Sequence, residues 1–330
     1  MIKRQKKTNL EKRTKDHSMH RTAAAAVLLI LSVALMAASV KIPAFAEWYS
    51  ETIYPFLVNT TGRIMGTAPF SVAELCLYLL LAALAVSIVY CAGKIVKGAK
   101  AGNVLFSWFS GVILAVGILA FLYTAGCGIN YHRRSFSAEE GIVTSFYSSE
   151  ELNQVCIWLT AEVNAACEEV SRDDAGVMIL DGPEGEGAVA AMDKLSETFP
   201  SLEGYYPQPK KLILSEFLSY QGLTGIYSPF TVEANYNGDM IPYNIPFTTC
   251  HELSHLRGFM EEREANFIAF LACIGSDRAD FRYSGYLSGG TYCMNALYRA
   301  AQEAWRTPRV LRDERAEADV TANSEFWDHY

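Results

Sequence analysis

One short segment of the sequence has residue types and spacing that could hold a metal ion: Cys-His-Glu-Leu-Ser-His at residues 250–255. On a helix, residues four apart lie on one face, so His251 and His255 could bind the same ion. Glu252 is the next residue along, where its carboxylate can take a proton from attacking water. Zinc is the ion that this pattern typically binds, and it lowers the pKa of water to about 7. The segment therefore predicts a zinc-dependent hydrolase with Glu252 as general base.

The third metal ligand is predicted to be a glutamate. The other four histidines lie far from this segment along the chain, at positions 17, 20, 132 and 329. Gly258 can end the helix that carries the motif, and a second helix can begin within the acidic residues that follow. Three of these residues are candidates for the third ligand: Glu261, Glu262 and Glu264.

Two further sets of residues are weaker candidates for the site. Tyr283 and Arg282 follow the acidic segment and could stabilise an oxyanion in the transition state. The segment Thr231–Asn237 alternates polar and apolar residues, which predicts a half-exposed strand. If it is an edge strand that pairs with an extended peptide, Glu233 and Asn235 on its polar face could contact substrate.

Three apolar stretches precede this region, and each holds about 20 residues with almost no charge. They are Thr22–Val40, Val72–Ala92 and Val104–Ala125. A helix of about 20 apolar residues crosses the ~30 Å hydrocarbon core of a bilayer. The sequence therefore predicts a basic tail at residues 1–21, a three-span membrane anchor at residues 22–125 and a separate domain at residues 126–330.

Positive charges predict the orientation of this anchor. The tail is strongly basic and three lysines lie between positions 94 and 100, whereas the loop between the first two stretches holds only Lys41 and Arg63. Because basic segments stay in the cytoplasm, the N-terminus is predicted to be cytoplasmic and the C-terminal domain extracytoplasmic. Ala44-Phe45-Ala46 fits a signal-peptidase site, but the length of the first stretch favours an uncleaved anchor.

The C-terminal domain is acidic and is predicted to be α+β and mostly helical. Residues 126–330 carry 15 basic and 31 acidic side chains, a formal charge of −16, which argues against nucleic acid as a partner. Ser148 and Glu151 form a capping box that would start a helix. A strand is predicted at Lys211–Phe217 besides the one described above, and helices at about residues 247–257, 261–274 and 286–305.

The motif and the acidic segment together resemble the gluzincin metallopeptidases, in which a downstream glutamate completes an HExxH zinc site. Glu262-Arg263-Glu264-Ala265-Asn266 is similar to their E-x-x-A-D/N stretch. The resemblance implies a zincin-like fold, Glu262 as zinc ligand and Asn266 as the residue that orients a ligand histidine. Glu261 occupies the position at which metzincins carry their third ligand, so the choice among the glutamates stays open at this point.

Several other segments are typical of one family when they occur with three spans and this motif. They are Ser228–Asn235, Pro246–Thr248, Glu264–Phe267 and Tyr283–Tyr286. With them, the chain resembles the bacterial membrane proteins known as domain of unknown function 3810, a name that implies no substrate.

Two functions from different classes fit these patterns. The first is a membrane-anchored zinc metallopeptidase that cleaves peptide or protein substrates at the outer surface of the lipid bilayer. The second is a non-catalytic zinc-binding domain that acts as a sensor or scaffold. Glu252 favours the first, because a structural zinc site has no need for an acid beside its ligands.

The charge distribution makes a testable prediction about sidedness. A reporter enzyme that is active only outside the cytoplasm, fused after residue 130, should be active, because the basic segments hold the N-terminus and the second loop inside. The same reporter fused within residues 94–100 should be inactive. Activity at the second position alone would reverse the predicted orientation.

Overall fold

The computed structural model describes residues 2–330, with side chains from Lys15 onward, and the chain divides into two compact units. The first unit holds the chain up to Tyr54 together with Val72–His132, and the second holds Pro55–Ser71 together with Arg133–Tyr330. The predicted tail is the start of the first helix, and its basic side chains before Lys15 lie outside the described residues.

The first part of the chain is helical almost throughout. Its α-helices are α1 (Ile2–Lys41), α2 (Pro43–Trp48), α3 (Tyr54–Leu57), α4 (Arg63–Gly66), α5 (Val72–Val96) and α6 (Ala101–Tyr123). Residues from Lys15 in α1, all of α5, and α6 with its extension to His132 are long and apolar enough to cross a membrane. These helices match the three predicted apolar stretches, and they suggest a membrane protein.

The segment between the first two apolar helices contributes to the second unit. Gly62 lies against Val232, where a Cβ on the glycine would be 3.5 Å from the valine side chain. The Lys210 ammonium group donates a hydrogen bond of 2.7 Å to the Met65 carbonyl oxygen. The predicted anchor is thus interrupted, because residues 55–71 pack with the C-terminal region. A chain with three spans requires these two regions to lie on one side of the membrane, and their packing agrees with this.

The second unit is mostly helical and contains one small sheet. Its helices are α7 (Phe136–Glu139), α8 (Ser149–Cys167), α9 (Glu184–Ser196), α10 (Ser215–Ser219), α11 (Asn244–Leu256), α12 (Glu262–Ile274), α13 (Ala279–Ala300), α14 (Gln302–Val310) and α15 (Glu314–His329). Its strands are β1 (Lys210–Lys211), β2 (Gly225–Ser228) and β3 (Glu233–Tyr236). The predicted capping box at Ser148 and Glu151 is confirmed at the start of α8.

The order of the strands is β1-β3-β2, with β1 parallel and β2 antiparallel to β3. The prediction of an exposed edge strand at Thr231–Asn237 is wrong, because β3 is the central strand and all four of its residues are buried. Its polar side chains face the interior of the fold: Glu233 forms a buried ion pair with Lys210, and the Asn235 amide nitrogen donates to the Ile226 carbonyl oxygen at 3.3 Å. The strand predicted at Lys211–Phe217 is also wrong beyond Lys211, since helix α10 follows.

Helix α11 lies at the centre of the second unit. It packs against α9, α12, α13 and the strands β2 and β3. Eleven of its thirteen residues are buried, including the polar Thr248, Thr249 and Ser254. Side chains on such a helix have little room to change position, so the elements around α11 fix the geometry of the HExxH residues.

Helix α15 is held to this core by a buried carboxylate. Asp319 is fully buried and accepts hydrogen bonds from the Arg172 guanidinium group at 2.9 Å, the Met178 backbone N–H at 2.9 Å and the Tyr283 hydroxyl group. A buried charge is tolerated only when it is paired and hydrogen-bonded, and three donors meet that condition here. The network therefore fixes the position of α15 relative to the rest of the second unit.

Replacing Asp319 by alanine should destabilise the second unit by about 3–5 kcal/mol, because Arg172 would remain buried without its counter-charge. For a unit of this size, the loss corresponds to a fall in Tm of roughly 6–20 °C. Thermal unfolding of the full chain in detergent measures it. Glu325→Ala, at an exposed position of the same helix, is the control and should leave Tm within about 2 °C of the parent value. Equal Tm values for the two variants would contradict the role given to the network.

Candidate metal centre

The two histidines of the HExxH segment lie on one face of α11, as their spacing predicts. Their rings contact each other edge to face, with 4.6 Å between ring centroids. The His255 residue is 8% exposed and the His251 side chain 13%. Both imidazoles are thus largely removed from water, and His251 lines a cleft.

The helix that follows places a carboxylate opposite both histidines. Gly258 adopts a positive φ of 97°, which a glycine tolerates without strain, and the chain turns there between α11 and α12. Glu262 is the first residue of α12, with one carboxylate oxygen 3.2 Å from His251 Nε2 and the other 3.5 Å from His255 Nε2. The three side chains therefore converge from two helices on one point.

The other two glutamates of the acidic segment have different partners. Glu261 forms an exposed ion pair of 2.5 Å with Arg263. Glu264 accepts hydrogen bonds of 3.0 Å from both the backbone N–H and the hydroxyl group of Ser137. Among the three candidates for the third ligand, Glu262 is thus the one that faces the histidines.

The electrostatics of this cluster favour a positive charge at its centre. Hydrogen bonds from His251 and His255 hold the pKa of the Glu262 carboxyl well below its usual range. Burial opposes protonation of His255, but the hydrogen bond to Glu262 and the charge of Glu252 raise its pKa overall. Both pKa shifts have the same cause: a positive charge beside the imidazole nitrogens is stabilised by the negative charge of the Glu262 carboxylate. A bound metal ion would satisfy the same arrangement.

The donor set fits zinc. Two imidazole nitrogens and one carboxylate oxygen, all within 4.8 Å of one another, are a typical catalytic zinc set that leaves a fourth position open. Atoms that bind one zinc ion tetrahedrally at 2.0–2.1 Å lie about 3.3 Å apart. The separations of 3.2 Å and 3.5 Å agree with that value.

A backbone carbonyl orients one of the imidazoles. His255 Nδ1 lies 2.8 Å from the Phe259 carbonyl oxygen. Because a carbonyl oxygen only accepts hydrogen bonds, Nδ1 carries a proton, and Nε2 is the nitrogen that faces Glu262. This contact does what the sequence resemblance assigned to Asn266. The hydrogen bond that the structure gives Asn266 instead comes from the Tyr292 hydroxyl group, at 3.4 Å.

Glu252 is buried beside the cluster, and one of its oxygens has no partner. The backbone N–H of Tyr227 in β2 donates to its carboxylate. The other oxygen, Oε2, is buried without a hydrogen-bond partner among the described residues. Burial raises the pKa of Glu252, and the nearby His251 and His255 oppose that shift. A buried carboxylate oxygen without a donor is costly, and such groups are concentrated at functional sites.

A glycine makes room for this carboxylate. A Cβ on Gly225 would lie 2.5 Å from Glu252 Oε1 and 2.8 Å from the Thr248 side chain, closer than side-chain atoms can approach. The backbone of strand β2 therefore packs directly against side chains of helix α11 at the position of Glu252. This contact, with the hydrogen bond from Tyr227, fixes the carboxylate against the edge of the sheet.

The cluster opens into a cleft of about 230 Å³. Residues from the four helices α11, α12, α13 and α15, and the residue just before β2, line it. They include Thr224, Asn244, His251, Glu262, Asn266, Tyr292 and Asn323. Burial and the negative charge of Glu262 raise the pKa of Tyr292. Its hydroxyl group is therefore a hydrogen-bond donor at neutral pH.

The predicted oxyanion residues lie elsewhere in the unit. Tyr283 is fully buried and its hydroxyl group donates to Asp319, while Arg282 pairs with Glu169 and donates to the Ser276 and Asp277 carbonyl oxygens. Both serve to hold helices together, because their polar groups are already used there. The predicted substrate contacts Glu233 and Asn235 are likewise buried within the sheet.

Sequence reasoning missed several residues of the site. Tyr292 and Asn323 are ordinary polar residues of amphipathic helices, and no local spacing relates them to the motif. Gly225 carried a weak signal, since a glycine within a strand often marks a close approach of another element. The tertiary packing of α11 with β2, α13 and α15 brings these residues to the cleft.

Comparison with known families agrees with one of the resemblances drawn from the sequence. The family model described as "Protein of unknown function (DUF3810)" matches residues 49–330, and the chain belongs to this family. The matched region includes the metal cluster and the second and third apolar helices. No curated protein and no solved structure matches the chain.

The geometry makes a prediction about the third ligand. Glu262→Gln should lower the zinc content of the purified chain well below one ion per molecule, because the substitution removes the charged ligand. Glu261→Gln and Glu264→Gln are matched controls that should keep about one zinc ion, measured by elemental mass spectrometry after dialysis. Loss of zinc from a control variant, with full zinc in Glu262→Gln, would assign the third ligand to a different glutamate.

Proposed function

We propose that this member of the DUF3810 family is a membrane-anchored zinc metallopeptidase with a gluzincin-like catalytic unit. The observation that carries the proposal is the convergence of His251, His255 and Glu262 on one point beside the buried, half-satisfied carboxylate of Glu252. Ligands and a general base are the two parts that metal-dependent hydrolysis requires.

Glu252 acts as the general base. When bound, zinc would supply a Lewis acid that polarises the scissile carbonyl group and acidifies water. Glu252 takes a proton from the attacking water while the water oxygen forms a bond to the carbonyl carbon. Glu252 then passes this proton to the amide nitrogen, the carbon–nitrogen bond breaks, and a carboxylic acid and an amine leave. The free Oε2 of Glu252 is available for this proton.

Strand β2 is the element along which a peptide would extend. It is an edge strand, with β3 on one side, and its Tyr227 N–H donates to the Glu252 carboxylate rather than to β3. A peptide that pairs with this edge would bring its backbone beside Glu252. The substrate strand predicted at Thr231–Asn237 is thereby replaced by its neighbour, Gly225–Ser228.

Tyr292 is the residue that would stabilise negative charge on the substrate. Its hydroxyl group lies in the cleft, 3.4 Å from the Asn266 side-chain oxygen, and it keeps its proton at neutral pH. A donor that is held in place before the reaction stabilises an oxyanion without the cost of reorganising around it. Tyr292 therefore takes the role that the sequence suggested for Tyr283 or Arg282.

The alternative function, a zinc-binding sensor or scaffold without catalysis, explains less of the site. A structural zinc site closes around the ion with four protein ligands, whereas this cluster offers three. The sensor or scaffold function also gives no reason to bury Glu252 with one oxygen that has no partner among the described residues. Such burial costs about 1–3 kcal/mol or more.

The catalytic unit is proposed to face outward from the cytoplasmic membrane. The distribution of lysines places the N-terminus and the second loop inside, and residues 55–71 pack in the same unit as the C-terminal region. Substrates would then be peptides or proteins at the outer surface of the bilayer.

Substitution of the general base tests the function. Glu252→Gln keeps the shape of the side chain and removes its proton-accepting charge, so zinc content should stay at that of the parent chain. Hydrolysis should fall by about a hundred- to ten-thousand-fold. The assay is cleavage of a broad peptide library by the full chain in lipid, followed by mass spectrometry.

Glu261→Gln serves as the control in the same assay, because Glu261 is exposed and paired with Arg263. It should leave both zinc content and hydrolysis close to the parent values. Unchanged hydrolysis in Glu252→Gln would remove the general base from the proposal. Zinc binding without any hydrolysis by the parent chain would favour the sensor.

A further inference from the structure

A pair of asparagine side chains forms one wall of the cleft. Asn244 lies at the start of α11 and Asn323 on α15, and both line the cleft. The Asn244 amide nitrogen donates a hydrogen bond of 2.8 Å to the Asn323 side-chain oxygen. The same oxygen accepts a hydrogen bond of 3.1 Å from the Trp327 indole N–H.

Chemistry fixes the orientation of both amides. An indole N–H only donates, so the Asn323 atom that faces Trp327 must be oxygen, and the Asn244 atom that faces that oxygen must be nitrogen. The Asn244 nitrogen also donates to the Ile241 carbonyl oxygen at 3.3 Å. Among the described residues, the Asn323 amide nitrogen, a donor, and the Asn244 side-chain oxygen, an acceptor, have no hydrogen-bond partner.

A donor beside an acceptor is complementary to an amide group. An N–H of a primary carboxamide on the substrate can donate to Asn244, and the carbonyl oxygen beside it can accept from Asn323. This is the two-point pattern by which carboxamide side chains recognise other groups that carry both a donor and an acceptor. A carboxylate has no proton to give Asn244, and an ammonium group has no acceptor for Asn323.

The rest of the cleft lining combines hydroxyl-bearing residues with the apolar Phe247 and is mostly uncharged. The lining residues that carry a hydroxyl group are Thr224, Tyr243, Thr248, Ser288, Thr291 and Tyr292. Among the lining residues, the acidic or basic side chains are His251 and Glu262, and both belong to the proposed zinc site. The lining thus offers no arginine or lysine for a terminal carboxylate, and no carboxylate besides the proposed ligand for a terminal ammonium group.

We infer that this site cleaves within the interior of polypeptide chains and that Asn244 and Asn323 bind a neutral amide group of the substrate next to the scissile bond. The inference rests on the proposed function, which it deepens by naming the class of substrate. Free chain termini are excluded because the cleft would strip water from their charges without replacing it by an opposite charge.

Asn323→Asp tests the amide pair with little disturbance of the fold. The aspartate oxygen can still accept from both Trp327 and Asn244, so the bonds that hold α15 are kept. The group that faces the cleft changes from a donor to a charged acceptor. Asn59→Asp adds the same charge at an exposed position of the second unit and is the matched control.

Binding is measured first, so that the result does not depend on catalysis. Full-length chain carrying Glu252→Gln, loaded with zinc in lipid nanodiscs, is titrated into fluorescein-labelled, C-terminally amidated decapeptides that differ only in a central Gln, Glu or Lys. The Gln peptides should bind best. Adding Asn323→Asp should weaken Gln binding roughly tenfold, the effect of about one lost hydrogen bond, and should improve Lys relative to Gln. Asn59→Asp should change neither.

Hydrolysis is measured second, with the parent chain and peptides whose termini are free or blocked. Products should be internal fragments from both sets, in similar amounts. Stepwise release of single residues from either end would overturn the inference, and so would unchanged preferences in Asn323→Asp. Either result would leave the hydrolase proposal intact. If the parent chain hydrolyses nothing, the proposed function fails, while the binding preferences still decide whether the amide pair selects neutral groups.

Discussion

Burying a carboxylate costs free energy unless donors replace the water that it loses, and Glu252 is buried with a donor for only one of its oxygens. Three neighbouring features hold the Glu252 carboxylate in this position. Gly225 leaves no side chain in its way, Tyr227 holds one oxygen from the edge strand, and α11 fixes its backbone within the core. The same helix turns His251 toward the cleft, so the ligand geometry and the placement of the acid cannot vary independently.

Features that depend on residues close together in the sequence could be predicted, whereas features that depend on distant residues could not. The two histidines and Glu252 lie within five residues of one helix, so their relative placement follows from helical geometry alone. The capping box of α8 and the apolar helices are equally local. By contrast, the choice of Glu262 among three neighbouring glutamates depends on Arg263 and Ser137, which satisfy the other two.

The errors concern polar residues whose partners are distant in the chain. The alternating pattern of Thr231–Asn237 is the same whether its polar side chains face water or buried partners. Here Lys210 forms a buried ion pair with Glu233. Tyr283 is a plausible oxyanion donor until Asp319, thirty-six residues later, is seen to accept the hydrogen bond from its hydroxyl group. No spacing rule could anticipate Asn323, because it reaches the cleft only through the packing of α15.

The hydrogen bond between Lys210 and Met65 has a consequence for biogenesis. The two chain stretches that build the second unit are separated by α5 and α6, the second and third apolar helices. Residues 55–71 leave the ribosome first, and their partners in the sheet are synthesised only after both of these helices. The contacts between residues 55–71 and the sheet therefore cannot form on a nascent chain before these two helices have been made. The second unit can thus reach its complete packing only after both apolar helices have been synthesised.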